Sequence, residues 1–356
     1  MTSSPSCFRC SEMSAHELTA APATDPIEIY RYRDGLYAVD MLTAAITGLD
    51  FFSFIGDRRL TKQEICAALE IRDRPTDVML TLFAAMGFLE NADGVFSLTP
   101  RAREHLVSTS PWFLGPYYAS LKDRPVCKDI LAVLRTGKPA NWASLKDEQA
   151  WAKAMEREDF AAQFTAAMDC RGVYLAQAMA KALDLREHTH LLDIAGGSGI
   201  YACSLVAHHP RLRATVLEKK PVDAIARKSI DARGYASRVS VLAGNMFNDP
   251  LPAGCDVHLF SNVLHDWDEP VVRQLIEKSF AALPAGGLLV IHDMHVNAQK
   301  TGPLPVAAYS ALLMTITEGK CYSVAEIDRY LREAGFQHAQ FIPTAADRSV
   351  IIGRKA

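Results

Sequence analysis

The stretch His190-Leu-Leu-Asp-Ile-Ala-Gly-Gly-Ser-Gly-Ile200 decides the fold. A short apolar run ends in an acid, Asp193, and passes through a glycine turn into a helix opening at Tyr201. Gly196, Gly197 and Gly199 let the backbone approach a ligand with no Cβ in the way. The helix that follows presents free N–H groups and a partial positive charge at its start. Strand, glycine turn and helix in this order hold a nucleotide-like cofactor.

The spacing narrows the choice. Dinucleotide folds seat a pyrophosphate on G-x-G-x-x-G. Here the pattern is D-x-A-G-G-S-G, and Asp193 would repel phosphates. It can accept hydrogen bonds from an ammonium or a ribose, which favours S-adenosylmethionine (SAM), a cofactor with an amino acid and a sulfonium where NAD has phosphates. The next strand is Ala214-Thr-Val-Leu-Glu218. Glu218 stands about 20 residues beyond the turn, where an acid accepts the ribose hydroxyls, and Lys219 joins the cofactor set beside it. A third strand, Val239 to Ala243, leads into Gly244-Asn-Met-Phe247. Asn245 offers an edge hydrogen bond to an adenine ring, and Met246 and Phe247 offer faces to stack on. A fourth, Asp256 to Phe260, leads into Ser261-Asn-Val-Leu-His-Asp-Trp267, and Gly287 to Ile291 is a fifth. Strands alternating with amphipathic helical stretches predict an α/β fold with a parallel sheet covered on both faces.

These motifs, in this order and spacing, resemble a class I SAM-dependent O-methyltransferase over residues from about 160 to the C-terminus. The similarity is to the group of plant caffeate and flavonoid, hydroxyindole and bacterial polyketide O-methyltransferases. It implies a Rossmann-like seven-stranded sheet with an antiparallel last strand. Gln340 to Ile342 and Ser349 to Ile352 would form the terminal hairpin. The cofactor would be SAM, leaving S-adenosylhomocysteine as product, with no metal. Ser261 occupies the place of a lysine common in the plant enzymes, and Asn245 that of an acid, so its carbonyl is expected to take over the adenine contact. Ala195 replaces a glycine and is expected to be tolerated at negative φ.

Methyl transfer to a hydroxyl needs an aligned acceptor and a base. Phenols titrate near 10, and histidine, near 6.5, is the natural proton acceptor at neutral pH. His265 follows the fourth strand at the carboxyl edge of the sheet, where open α/β folds bind ligands. The resemblance makes it the catalytic base and makes Asp293 the acid that orients it, one methylene shorter than the family's usual Glu. A second orienting acid of the family falls on Cys321. Asp293 alone then holds the ring, or Glu318 substitutes, or the base is weaker. His292, Asp293 and His295 alternate in a way that provides no evident third metal ligand.

Phe160, Phe164, Met168 and Gly172 share one helical face. They resemble the family helix on which Phe164 and Met168 clamp an aromatic ring and Gly172 lies near the SAM carboxylate. Tyr309, Leu313 and Met314 on a later helix, with Asn262 and Trp267 flanking the base, complete the expected acceptor pocket. They suit a small, flat aromatic substrate bearing a hydroxyl.

The rest of the chain sets the context. Its 356 residues suffice for two domains, and the net charge of −3 argues against a general nucleic-acid or membrane binder. No apolar run reaches the roughly 18 residues of a membrane span. No secretory signal is apparent, and eight scattered cysteines suit reduced thiols in a cytoplasm. Cys7 and Cys10 lie in a Ser/Thr/Ala/Pro-rich tail, residues 1–25, expected to be disordered. Residues 26–110 read as a mostly helical winged-helix module: Thr61 and Glu64 form a capping box, Thr76 to Met86 a helix, and Phe88 to Leu98 a hairpin turning at Asp93-Gly94. The helix from Thr76 carries no base, so it makes a poor DNA reader. The resemblance assigns the module to homodimerisation, with Phe51, Phe52 and Phe54 of the apolar 36–54 stretch at an intertwined interface. Residues 111–180 would supply a helical linker and pocket helices, and 181–356 the SAM-binding catalytic domain. Two other readings stay open. One is different chemistry on the scaffold: N- or C-methylation, or SAM-assisted hydroxylation or decarboxylation. The other is a non-catalytic, SAM-sensing winged-helix regulator.

Overall fold

The computed structural model describes residues 18–20, 22–140 and 157–356. Cys7 and Cys10 lie outside the described residues. The tail expected to be disordered to residue 25 is ordered in its last part. Leu18 is fully buried in the core around the strand His190–Ile194, and Asp25 accepts from the Ile27 N–H that opens the first helix.

The N-terminal part packs helices Ile27–Asp34, Ala38–Leu49, Phe51–Ile55, Lys62–Leu69 and Asp73–Ala85 with three short strands, β1 (Leu60–Thr61), β2 (Leu89–Ala92) and β3 (Val95–Leu98), ordered β1-β3-β2. The capping box forms: Thr61 Oγ1 accepts from Glu64 N, and Glu64 returns the bond to Thr61 N at 2.8 Å. Asp93 and Gly94 take φ of 53° and 85°, the paired left-handed geometry that a two-residue hairpin requires.

The expectation is overturned for Phe51 and Phe52, while Phe54 is half-buried. Phe51 and Phe52 are 0% exposed within this one chain, stacked on Phe83 at 5.6 and 5.2 Å. Asp50 explains this: its left-handed φ of 46° ends the preceding helix and turns the next residues inward. Helix Asp73–Ala85 packs against helix Leu304–Ile316, and Val78 through Phe83 are all buried.

The second part is a seven-stranded sheet of β4 (His190–Ile194), β5 (Arg213–Glu218), β6 (Val239–Ala243), β7 (Val257–Ser261), β8 (Leu288–Asp293), β9 (Gln337–Pro343) and β10 (Ser349–Arg354). The order is β6-β5-β4-β7-β8-β10-β9. β10 runs antiparallel to β8, with Ser349 opposite Asp293, and pairs with β9 as the terminal hairpin. Burial on both faces accounts for the near-continuous apolar runs; every residue of β8 is buried. The chain leaves β4 for β5 and β6 on one side and returns to β7 on the other. That reversal opens a crevice at the carboxyl ends of β4 and β7, which carry the glycine turn and the segment from Ser261 to His265.

Helix Leu304–Ile316 is apolar all round and serves two cores. Ala307, Ala308, Ala311 and Met314 join the N-terminal core, while Tyr309, Leu312 and Leu313 pack with Met294 and Cys321. Arg74 fastens its C-terminal end: Nη1 donates to the carbonyls of Met314, Thr317 and Gly319 at 3.2, 3.1 and 2.8 Å, and Nη2 to that of Gly137 at 2.7 Å. No described helix is long and apolar enough to cross a membrane.

Candidate active site

Asp193 is the penultimate residue of β4 and is 0% exposed, and neither carboxylate oxygen has a hydrogen-bond partner. Burial, with Glu218 nearby, pushes its acid up to about 7. A Cβ at Gly196 would stand 2.6 Å from the Asp193 carboxylate, so only glycine lets the turn lie that close. Ala195 departs from expectation. It sits at φ +56°, in the left-handed region, because its N–H is tied to Leu217 O at 2.9 Å as the chain leaves the strand. The cost to an L-residue is about 1 kcal/mol.

Glu218 ends β5 and binds the turn directly, accepting from Gly197 N at 3.1 Å and Lys219 N at 2.9 Å. Burial raises its acid to about 7. Lys219 thus enters through its backbone. After β6, Asn245 Oδ1 accepts from Phe247 N at 2.9 Å, so the carbonyl expected to meet adenine already has one occupant. Gly244 is close-packed, its Cβ position 2.9 Å from Leu217. The Phe247 and Trp267 rings meet edge to face at 4.7 Å. Sequence reading missed Lys278, whose Nζ donates to the Met246 and Phe247 carbonyls at 2.7 and 3.1 Å and fixes that turn.

It also missed a second tether. Ser198 donates to Asp169, whose carboxylate is paired with Arg233 at 2.6 Å. Gly172 has a packing reason of its own: a Cβ there would stand 2.6 Å from Ile200, where the long helix Glu158–Ala182 crosses helix Ile200–His208.

His265 lies in a one-turn helix, Leu264–Asp266, beyond β7. It is 4% exposed, and its Nδ1 is 2.6 Å from Oδ1 of Asp293, itself 4% exposed. Burial opposes the charge on the ring, but the Asp293 and Asp266 carboxylates outweigh it and hold the imidazole above its ordinary value. Burial likewise opposes the Asp293 charge, and His265 overrides it, lowering the acid to about 2. Asp266 Oδ1 is 3.5 Å from Nε2. Glu318 is exposed, and Cys321 is buried with its N–H on Ser310 Oγ at 3.1 Å, so the carboxylates at the ring are Asp293 and Asp266.

The neighbouring histidines face other partners. His292 Nδ1 meets Ser261 Oγ at 2.9 Å, and His295 Nδ1 meets Ser349 Oγ at 2.8 Å. Among the described residues no three His, Cys, Asp or Glu side chains form a metal-holding group. Asn262 donates to Tyr201 Oη at 3.0 Å and to Ser261 Oγ at 3.2 Å, knitting β7 to helix Ile200–His208.

The expected acceptor residues divide. Tyr309 lies edge-on to His265 with ring centroids 5.8 Å apart, and Leu313 packs beside it. Met314 is corrected: it is 0% exposed in the N-terminal core. Phe164 packs with Ala161, Val222 and Ile225, near the end of β5, and Met168 is half-buried on the same helix.

Comparison with known proteins decides the family. The model of an O-methyltransferase domain matches residues 128–337. The chain belongs to this O-methyltransferase family. A 3-hydroxy-5-methyl-1-naphthoate 3-O-methyltransferase of Streptomyces sahachiroi is 32% identical over 90% of this chain and 93% of its own. An O-methyltransferase family 2 protein of Planctomyces limnophilus, solved with apigenin, superposes with a TM-score of 0.87 at 32% identity, over 97% of this chain and 100% of that one. PigF, known from Serratia and solved with S-adenosylhomocysteine (SAH), gives a TM-score of 0.59 at 25% identity, over 92% and 99%. The family's cofactor is SAM. The residues of this O-methyltransferase fit it: a buried unpartnered carboxylate suits an ammonium, and no atom of the described residues other than its chain neighbours lies within 4 Å of where a Cβ of Gly197 would stand, which leaves open space beside the turn.

Proposed function

We propose that this chain transfers a methyl group from SAM to a hydroxyl of a small aromatic metabolite, with His265 as general base. The observation that carries the reading is the buried His265–Asp293 pair, closed at 2.6 Å beside the cofactor crevice. SAM supplies the electrophilic methyl group. The chain's own residues do the rest. Asp193 and Glu218 hold its polar groups, and Gly244 to Phe247 take its base. Asp293 accepts a hydrogen bond from the Nδ1–H, which keeps the proton on Nδ1 and leaves Nε2 with a lone pair. That nitrogen is placed to draw the proton from the acceptor hydroxyl, whose oxygen would take the methyl group as the sulfur–methyl bond breaks and SAH leaves. The hydroxynaphthoate and apigenin named for the two relatives are both flat aromatic compounds, which supports an aromatic acceptor here.

In the same reading, residues 26–110 dimerise the enzyme, residues 111–180, of which 141–156 lie outside the described residues, serve the pocket, and residues 181–356 hold the cofactor. The interface uses Ile29, Tyr32, Leu36 and Val39 with Trp112 and Tyr117, large apolar side chains 46–80% exposed in the single chain. The six described cysteines are free thiols, which suits the cytoplasm. A DNA-reading regulator is disfavoured because helix Asp73–Ala85 is buried against helix Leu304–Ile316.

The test is incubation with methyl-labelled SAM and hydroxy-arenes, following label by mass spectrometry. His265→Ala should lower turnover about 10²–10⁴-fold with SAM affinity unchanged. Equal loss of SAM binding overturns the assignment. Sedimentation of Tyr32→Arg tests the dimer, and a wild-type monomer rejects it.

A further inference from the structure

Two guanidinium groups flank Tyr309, and only one is neutralised. Arg348 is fully buried, with Nη2 on Asp34 Oδ2 at 3.1 Å and its charge 5.7 Å from the Tyr309 ring centre. Arg171 belongs to the long helix Glu158–Ala182. Its Nη1 donates to Tyr309 Oη at 3.2 Å, and its backbone carbonyl accepts from Tyr30 Oη at 3.0 Å. Among the described residues it pairs with no carboxylate, and its Nε is buried without a partner.

Tyr309 therefore touches the catalytic histidine with its ring and Arg171 with its hydroxyl. Burial opposes the charge on Arg171, but the Tyr309 and Tyr201 hydroxyls, Asp34 and Asp266 keep it on. The same charge acts on His265 and Asp266, so it lies within the field of the base. An unpaired cation withdrawn from water is costly, and protein charges so placed normally have an anionic partner. With Nη1 engaged by Tyr309, the Nε–Nη2 edge is left over. That edge presents two parallel N–H donors, which match the two oxygens of a carboxylate.

We propose that Arg171 binds a carboxylate of the methyl acceptor, so that the substrate class is a hydroxy-arene carboxylic acid, anionic at neutral pH. The proposal rests on the O-methyl-transfer reading and narrows it. Tyr309 supplies the ring wall between the carboxylate end and the hydroxyl end, where His265 waits. The amino-acid carboxylate of SAM has the same chemistry, so the test must separate the two sources.

Calorimetric binding to the full-length enzyme saturated with SAH does so, using positional isomers of hydroxynaphthoate against 2-naphthol. At least one carboxylated isomer should bind about 10- to 100-fold tighter than 2-naphthol, the range of charge-assisted hydrogen bonds. Arg171→Met should abolish that preference while SAH affinity and melting temperature hold. Arg171→Lys, which keeps the charge but loses the fork, should retain part of it. The proposal is overturned if no isomer is preferred, or if the preference survives in Arg171→Met. It is also overturned if Arg171→Met weakens SAH instead, which assigns the guanidinium to the cofactor carboxylate. If an isomer binds through Arg171 yet labelled SAM leaves it unmethylated, the binding assignment stands and the methyl-transfer reading fails.

Discussion

His265 Nδ1 stands 2.6 Å from Asp293 Oδ1, and the N–H of Met294 donates to that same oxygen at 2.8 Å. The backbone thus fixes the carboxylate that fixes the ring. Asp293→Asn keeps the shape but exchanges an acceptor for an amide that can donate, which turns the imidazole toward the wrong tautomer. Turnover should fall about 10²–10⁴-fold with SAM affinity unchanged. The pH profile gives a second check. In the proposed mechanism His265 works only when neutral, so the rate should rise with pH through its pKa, which is held above the ordinary histidine value in the wild type. Without the Asp293 charge that acid limb should move to lower pH. A limb that does not move means His265 is not the titrating base.

Gly319 supports the base from behind. A Cβ added there would stand 2.1 Å from the His265 carbonyl oxygen and 2.7 Å from the Trp267 nitrogen. Both are backbone atoms that cannot swing aside. Gly319 is not at positive φ, so alanine brings no conformational strain of its own. Gly319→Ala should therefore push the one-turn helix that carries His265. A displacement of an ångström costs about 10²-fold in rate. We expect that loss in kcat with little change in SAM binding. An unaltered kcat would show that the segment yields without disturbing the base.

Why some of this could be read from sequence and some not has a physical basis. The β4 turn was readable because an acid, three glycines and an apolar strand constrain one another locally. His265 and Asp293 could be named as a pair through the family resemblance of the segments after β7 and at the end of β8, and the two side chains do meet at 2.6 Å. Helix Leu304–Ile316 was not, because a helix apolar on every side does not say which face meets which core. Hence the sides that Tyr309 and Met314 take, toward His265 and toward the N-terminal core, were not legible. Phe51 and Phe52 look like interface residues until the left-handed Asp50 turns them inward, and Ala195 looks unstrained until strand β5 claims its N–H. Lys278, Asp169 and Arg171 act through partners distant in sequence, and no local pattern marks them.

The unpartnered Asp193 carboxylate predicts how the free protein responds to pH. Its folded pKa, about 7, lies well above the unfolded value near 3.9. Between the two the native state holds a proton that the unfolded state has released. Its contribution to stability is therefore fully present below about pH 4 and declines by about 1.4 kcal/mol per unit up to about pH 7. Asp193→Asn removes this slope, so urea unfolding without ligand should find the variant gaining on the wild type as pH rises from 5 to 7. SAM should act in the opposite sense. Its ammonium pairs with the ionised acid, so wild-type affinity should tighten over the same range. Parallel pH curves for the two proteins would reject both expectations.

The ion cluster between the N-terminal part and the sheet predicts the reverse pH sense. Asp77, on helix Asp73–Ala85, takes Lys300 Nζ at 3.0 and 2.8 Å and also Lys320. Glu326 receives the same two lysines at 2.8 and 2.7 Å. Burial opposes both acid charges, yet the lysines win, holding Asp77 far below the carboxylate range and Glu326 at about 2. Depressed folded values mean that this stabilisation is present above about pH 4 and is lost as pH falls toward 2. Asp77→Asn leaves two partly buried ammonium groups sharing one acid, a loss of about 3 kcal/mol at neutral pH, the lower end of the range for a buried pair. Urea unfolding should show that deficit at pH 7 and one smaller by about 1 kcal/mol at pH 3, where the wild type has begun to lose the pair. A deficit of the same size at both values would mean that Asp77 acts through packing and not through its charge.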